Sequence, residues 1–181
     1  MRKLVLKMHM SLDGFVGGPK GEVEWVFHAR DDKATAWVVD GLWNAGAHLM
    51  GRRTYGDMAA HWPKSTAPYA APMNQIPKVV FSKTLKQATW TDSRIASGDL
   101  VEEVTRLKQE PGKDLLAHGG AGFAQSLVKH GLVDEYQLLI HPVALGSGLR
   151  LFPEREQPLK LRLVSATRFD SGAVAHVYRP E

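Results

Sequence analysis

The 181-residue sequence contains no cysteine. Disulfides, thiolate metal sites and a cysteine nucleophile are therefore excluded. It also lacks any apolar run near the roughly 18 residues that a membrane-spanning helix needs, so no membrane partner is expected. The opening MRKLVLKMHM has the charge of a signal peptide. Lys7 and His9 interrupt its apolar run, however, and no small-residue cleavage site follows, so the expected location is cytoplasmic. Long basic runs are missing too. The net charge is +4 and the pI about 9.4, yet no more than two basic residues stand together. Nucleic-acid binders gather their charge in a stripe or tail, so no nucleic acid is expected here. A small anionic ligand needs only a few well-placed cations and fits this balance better.

Several catalytic signatures are absent as well. There is no G-x-x-x-x-G-K-[ST] phosphate loop, no G-x-G-x-x-G fingerprint after a strand and no G-x-S-x-G elbow. The eight histidines are dispersed without metal-ligand spacing, so no metal site is expected. His118 and His141 each end an apolar run; either faces a site or is a satisfied structural histidine.

What is present reads as one domain over residues 1–181, with 44% hydrophobic residues, enough for a packed core. Leu4, Leu6, Met8 and Met10 alternate with more polar neighbours, as a strand with one strongly buried face would. A helix is predicted over 31–45, with acids in its first turn. AHLM, KVVFS and DLLAH are short apolar runs typical of buried parallel strands. GDLVEEVTRLKQEPG reads as a helix capped by Asp99, with Leu100, Val104 and Leu107 on one face and Pro111-Gly112 as its stop. GFAQSLVKHG is a second helix ending at Gly131. VDEYQLLIHPV is a long strand, and RLVSATRFDSGAVAHVYR forms two strands around an Asp-Ser-Gly turn. The stretch 61–77, with four prolines, reads as a long loop. The pattern predicts an α/β fold whose sheet is mixed but mostly parallel, closed by an antiparallel C-terminal hairpin.

In open α/β sheets, ligands bind beyond the carboxyl ends of the strands. Three features fall there. Gly51-Arg52-Arg53-Thr54 follows AHLM and opens a short helix, where free N–H groups and a planar guanidinium favour an anion. Ser82-Lys83 follows KVVF and offers a hydroxyl and a cation. His118-Gly119-Gly120-Ala121-Gly122 lies between a strand and a helix, where glycine lets the backbone approach a pyrophosphate. Each alone reads as an ordinary turn; three at successive strand ends are harder to dismiss together.

The set SLDGFV, LMGRRTYGDM, PKVVFSKTL, LLAHGGAGFAQSL and VDEYQLLIHPVALGSG resembles the dihydrofolate-reductase-like superfamily. Within it, the sequence is most similar to the riboflavin-biosynthesis reductase domain, the RibD C-terminal domain family. The resemblance implies eight or nine strands flanked by helices and an NADPH-dependent reductase acting on a small heterocyclic ribosylamino substrate, commonly as a homodimer. By motif, it places Gly51, Arg52, Arg53 and Thr54 against the cofactor's pyrophosphate and adenosine 2′-phosphate. It places Ser82 and Lys83 at further adenosine-phosphate contacts and Gly119, Gly120, Ala121 and Gly122 under the pyrophosphate. Asp13, after the first strand, is the candidate for orienting substrate or relaying a proton; a turn-forming Asp-Gly is the alternative. Dihydrofolate reductases carry an acid on the first helix, but Arg30-Asp31-Asp32 reads as a helix start. A pterin reductase and a non-catalytic NADPH-binding module are the alternative expectations. Without cysteine, the sequence carries nothing of the zinc deaminase to which the riboflavin enzyme is often fused.

Overall fold

The structure, a computed structural model, describes residues 1–27 and 31–181. Its first strand, β1 (Leu4–Ser11), sends Leu4, Leu6 and Met8 to one face of the sheet and Val5 to the other. A short β2 (Phe15–Gly17) leads to α1 (Asp32–Trp43). The Asp31 carboxylate caps α1, accepting from Lys33 N at 2.9 Å and Ala34 N at 3.0 Å. Its other oxygen accepts from Ser171 N at 2.8 Å, which ties the helix start to the C-terminal hairpin. Asp31 is thus the helix start read from the sequence; Arg30 lies outside the described residues.

Next come β3 (Ala47–Gly51), α2 (Arg52–His61), α3 (Ala70–Gln75) and β4 (Lys78–Phe81). The chain continues through β5 (Ser93–Ala96), α4 (Leu100–Gln109), β6 (Leu115–Ala117) and α5 (Ala121–Lys129). It ends with β7 (Glu135–His141), β8 (Leu149–Arg150), β9 (Leu161–Arg168) and β10 (Val174–Pro180). The main sheet has eight strands in the order β5-β4-β3-β6-β1-β7-β10-β9. All pairings from β5 to β7 are parallel, whereas β10 runs antiparallel to both β7 and β9. The class, the mostly parallel order and the closing hairpin are as the sequence predicts. A separate two-stranded sheet pairs β2 with β8.

Val104 and Leu107 of α4 and Ala124, Leu127 and Val128 of α5 pack with Leu4 and Leu6 on one face. On the other, Ala34, Val38 and Leu42 of α1, Tyr55 of α2 and Met73 of α3 pack around Val5, Met50 and Val80. Two parts of the chain depart from expectation. The four-proline stretch holds a 3-10 turn (Trp62–Lys64) and α3. Pro63 and Pro72 fall in first turns, where the missing N–H has no intrahelical partner to lose, Pro68 and Pro77 flank α3, and buried Met73 and Ala70 anchor the helix. β5 has only Ile95 and Ala96 as apolar residues, too few for the alternation to register.

Candidate active site

Because β4, β3 and β6 are consecutive and parallel, the loops that leave their carboxyl ends lie side by side. Two helices start there. α2 begins straight after Gly51, and α5 after Gly120; neither start has a side-chain cap. The helices α1 and α4 are capped by Asp31 and Asp99 instead. The sequence therefore spends aspartates on two helix starts and leaves the two facing this edge open, with free N–H groups and the positive end of the dipole.

The two starts touch. A Cβ at Gly120 would sit 2.9 Å from Thr54 Oγ1, and one at Gly51 would sit 3.1 Å from Phe123 Cβ. Gly120 also has φ +43°, a left-handed conformation that a side chain disfavours. The two glycines thus let the helix starts pack closely, Gly120 against Thr54 and Gly51 against Phe123, and form a glycine-lined cradle at this edge. Gly122 is exposed on the first turn of α5, beside half-buried Ala121; Gly119 is half-buried at the end of β6.

Three cations stand on the elements flanking this cradle, Arg52 and Arg53 at the start of α2 and Lys83 after β4. Arg52 extends to the β4 loop, where its Nη1 donates to Thr84 Oγ1 at 2.8 Å. Ser82 Oγ accepts from Thr84 N at 3.2 Å and Leu85 N at 2.9 Å, so its hydroxyl shapes that loop and keeps its own proton for another acceptor. Arg53 and Lys83 are exposed, and among the described residues neither they nor Arg52 form an ion pair. The structure thus brings the three loops that the sequence assigned to a phosphate to one edge of the sheet.

Asp13 lies farther along the same edge, beyond β1. Its carboxylate accepts from Ser11 Oγ at 2.6 Å, Leu145 N at 3.1 Å and Gly146 N at 2.7 Å. These donors hold its pKa down to about 2, the Ser11 hydroxyl first among them. Asp13 is therefore ionised at neutral pH and clamps the loop after β7 to the loop after β1. That geometry suits positioning and leaves no proton to donate.

His118 and His141, the two histidines that end apolar runs, each meet a second histidine that no sequence motif points to. His118 Nε2 lies 2.8 Å from His48 Nδ1, and His48 Nε2 lies 3.3 Å from Pro72 O. The carbonyl can only accept, so His48 donates at Nε2 and accepts at Nδ1 from His118. Burial lowers both pKa values, that of His48 to about 4. This pair is a neutral structural bracket between β3, β6 and α3. His9 Nδ1 and His141 Nε2 lie 2.9 Å apart at the carboxyl ends of β1 and β7. Between the pairs sits buried Lys7, its Nζ 3.8 Å from the Trp37 ring centroid, and desolvation lowers its pKa to about 7. The signal was there: Lys7, His9 and Ser11 alternate along β1 on the face opposite its leucines.

A cavity of about 400 Å³ opens at the opposite, amino-terminal edge of the sheet. There Glu110 lies 3.7 Å from Arg2 and 3.8 Å from Arg94, so its charges answer one another. The uncapped helix starts and the nearby cations, unpaired among the described residues, make the carboxyl edge the better candidate. Among the described residues no cluster of metal-ligating side chains occurs, and no helix is long and apolar enough to cross a membrane.

The model of a family described as the RibD C-terminal domain matches residues 2–175. The chain belongs to this family. YyaP, an uncharacterized protein of Bacillus subtilis (strain 168), is 34% identical over 98% of this chain and 94% of its own length. A Shewanella sp. PV-4 protein attributed to riboflavin biosynthesis superposes with a TM-score of 0.80 at 20% identity, covering 99% of both chains. The Thermotoga maritima diaminohydroxyphosphoribosylaminopyrimidine deaminase/5-amino-6-(5-phosphoribosylamino)uracil reductase superposes with a TM-score of 0.71 at 19% identity. That match covers 99% of this chain and 57% of the Thermotoga one. Dihydrofolate reductase from Enterococcus faecalis, complexed with NADP(H) and RAB-propyl, superposes at 0.66 with 15% identity over 99% of this chain and 96% of its own. The RibD C-terminal fold and the dihydrofolate reductase fold are thus one architecture, and this chain has it.

Proposed function

We propose that the protein is an NADPH-dependent reductase of the riboflavin-pathway type, acting on 5-amino-6-(5-phosphoribosylamino)uracil or a similar heterocyclic ribosylamino compound. One observation carries the reading: two helix starts without side-chain caps share a glycine-lined cradle on the sheet edge that also carries three cations without a counter-ion among the described residues. The N–H groups after Gly51 and Gly120 would hold a pyrophosphate. Arg52, with Lys83 and the Ser82 hydroxyl, would hold the 2′-phosphate that distinguishes NADPH from NADH. Bound there, NADPH supplies a hydride to a C=N or C=O carbon. The chain's own part is to position both reactants, with Asp13 keeping the loop after β7 in place.

A pterin substrate is disfavoured because Asp31 uses both carboxylate oxygens to hold backbone N–H groups at the start of α1, and Asp32, the other acid there, is exposed on the first turn. The bare edge strand β9 supports a homodimer: its middle is exposed on both faces, with Leu163 50% and Val164 41% exposed. The test is NADPH oxidation followed with the phosphoribosylaminouracil and with dihydrofolate. Oxidation driven by the first and not the second is expected. NADPH binding without turnover on either leaves a cofactor-binding module and overturns the enzyme reading.

A further inference from the structure

The candidate phosphate sites order the ligand across the sheet. Its adenosine end belongs over β4 and its pyrophosphate between β3 and β6, so its reacting end points on toward β1 and β7. From β4 to β1 is three strand spacings, about 14 Å. At the carboxyl ends of those two strands, on the α1 face, stand His9 and His141.

Their geometry is that of a relay. His9 sits opposite Leu139 in the β1–β7 ladder and His141 opposite Ser11, so the rings meet diagonally across two adjacent strands. The ring centroids are 5.2 Å apart and the planes 32° from parallel. One nitrogen of each ring is used in the 2.9 Å contact. The outer ones, His9 Nε2 and His141 Nδ1, have no partner among the described residues. Trp25 stands edge-on against His141, 5.5 Å between centroids. His9 is half-buried and His141 buried.

We infer that His9 and His141 form a two-ring proton relay, His9 protonating the substrate atom next to the carbon that receives hydride. The inference rests on the reductase reading above. His9 donates the Nε2 proton to the substrate's nitrogen or oxygen. His9 Nδ1 takes the proton that His141 Nε2 gives up, and His141 Nδ1 takes one from solvent. Both rings end neutral in the opposite tautomer, and reversing the two tautomers resets them. The reduction consumes one proton from solvent for each hydride delivered. Burial and the neighbouring Lys7 oppose a charged imidazole here, and His9 has its pKa lowered to about 3. A relay that never accumulates imidazolium suits such a place better than a lone histidine acid. It also supplies the proton that the ionised Asp13 cannot.

The pair is tested first without cofactor. Protein carrying ¹⁵N-histidine is expected to show a through-hydrogen-bond coupling between His9 Nδ1 and His141 Nε2 at pH 7, with both rings neutral. Absence of that coupling overturns the relay. The second arm compares His9→Asn and His141→Asn with the parent in NADPH binding and in turnover of the phosphoribosylaminouracil. Both are expected to bind NADPH as the parent does and to lose kcat about 100-fold or more, the usual scale of a general acid. Their KM should stay within a few-fold. The parent should show a solvent deuterium effect with more than one proton in flight. Retained kcat in either variant, or a solvent effect fitted by one proton, overturns the relay. A parent protein that binds no NADPH overturns the reductase reading instead, and the relay with it; the coupling still reports whether the pair shares a proton.

Discussion

Replacing Arg52 with alanine should separate the two nicotinamide cofactors. Arg52 starts α2, is exposed, and is held by a single 2.8 Å hydrogen bond to Thr84 Oγ1 on the β4 loop. On the proposed reading its remaining N–H groups meet the adenosine 2′-phosphate of NADPH, and NADH offers them nothing. A hydrogen bond to a charged partner is worth about 1.5–3 kcal/mol. Exposure to solvent favours the lower end of that range, since exposed pairs are screened. About 1.5 kcal/mol corresponds to a roughly tenfold weaker NADPH affinity. The loss should shrink as salt rises, because the contact sits at the surface. Fluorescence titration of the five-tryptophan protein measures it directly. Arg53→Ala serves as the comparison, because that guanidinium stands one residue on and has no described bond to the β4 loop. Equal loss for NADPH and NADH in Arg52→Ala would refute the 2′-phosphate role, as would a larger NADPH-selective loss in Arg53→Ala.

Four further outcomes are expected. Gly120→Ala forces a side chain into a left-handed φ and against Thr54, so it should cost about 1–2 kcal/mol in thermal unfolding and weaken NADPH and NADH alike. Lys7→Met removes an ammonium whose folded pKa, about 7, lies below its unfolded one; the burial penalty is full below pH 7 and fades as pH rises toward 10.5. The variant should therefore gain about 1–3 kcal/mol at pH 6 and less at pH 10, read from chemical denaturation at both. Asp13 has a depressed pKa, so its loop clamp is present above pH 4 and is lost as pH falls through about 2. Protection of the Leu145 and Gly146 amides from exchange should hold to about pH 3 in the parent and be missing in Asp13→Ala. Leu163→Lys should shift a concentration-dependent dimer toward monomer in sedimentation, and an unchanged mass would place any interface away from β9.

Local chemistry was legible in the sequence and long-range partnership was not. The cap at Asp99, the glycine stop after α5 and the buried runs of β3, β4 and β6 each act within a few residues. Their strand ends come together because parallel neighbours in a sheet must align their carboxyl ends. Asp13 shows the limit. Its type and place were read, but its two backbone donors stand 132 and 133 residues away. The histidine pairs have separations of 132 and 70 residues, and only the closed sheet joins them. Likewise α3 forms because packing of Met73 outweighs the weak propensity of a proline-rich stretch.

The central claim is that the glycine cradle and its cations hold NADPH. Titrating the unaltered protein with NADPH and NADH side by side tests it most directly. A micromolar Kd for NADPH, at least tenfold tighter than for NADH, is predicted. Millimolar binding of both, or a preference for NADH, would contradict it.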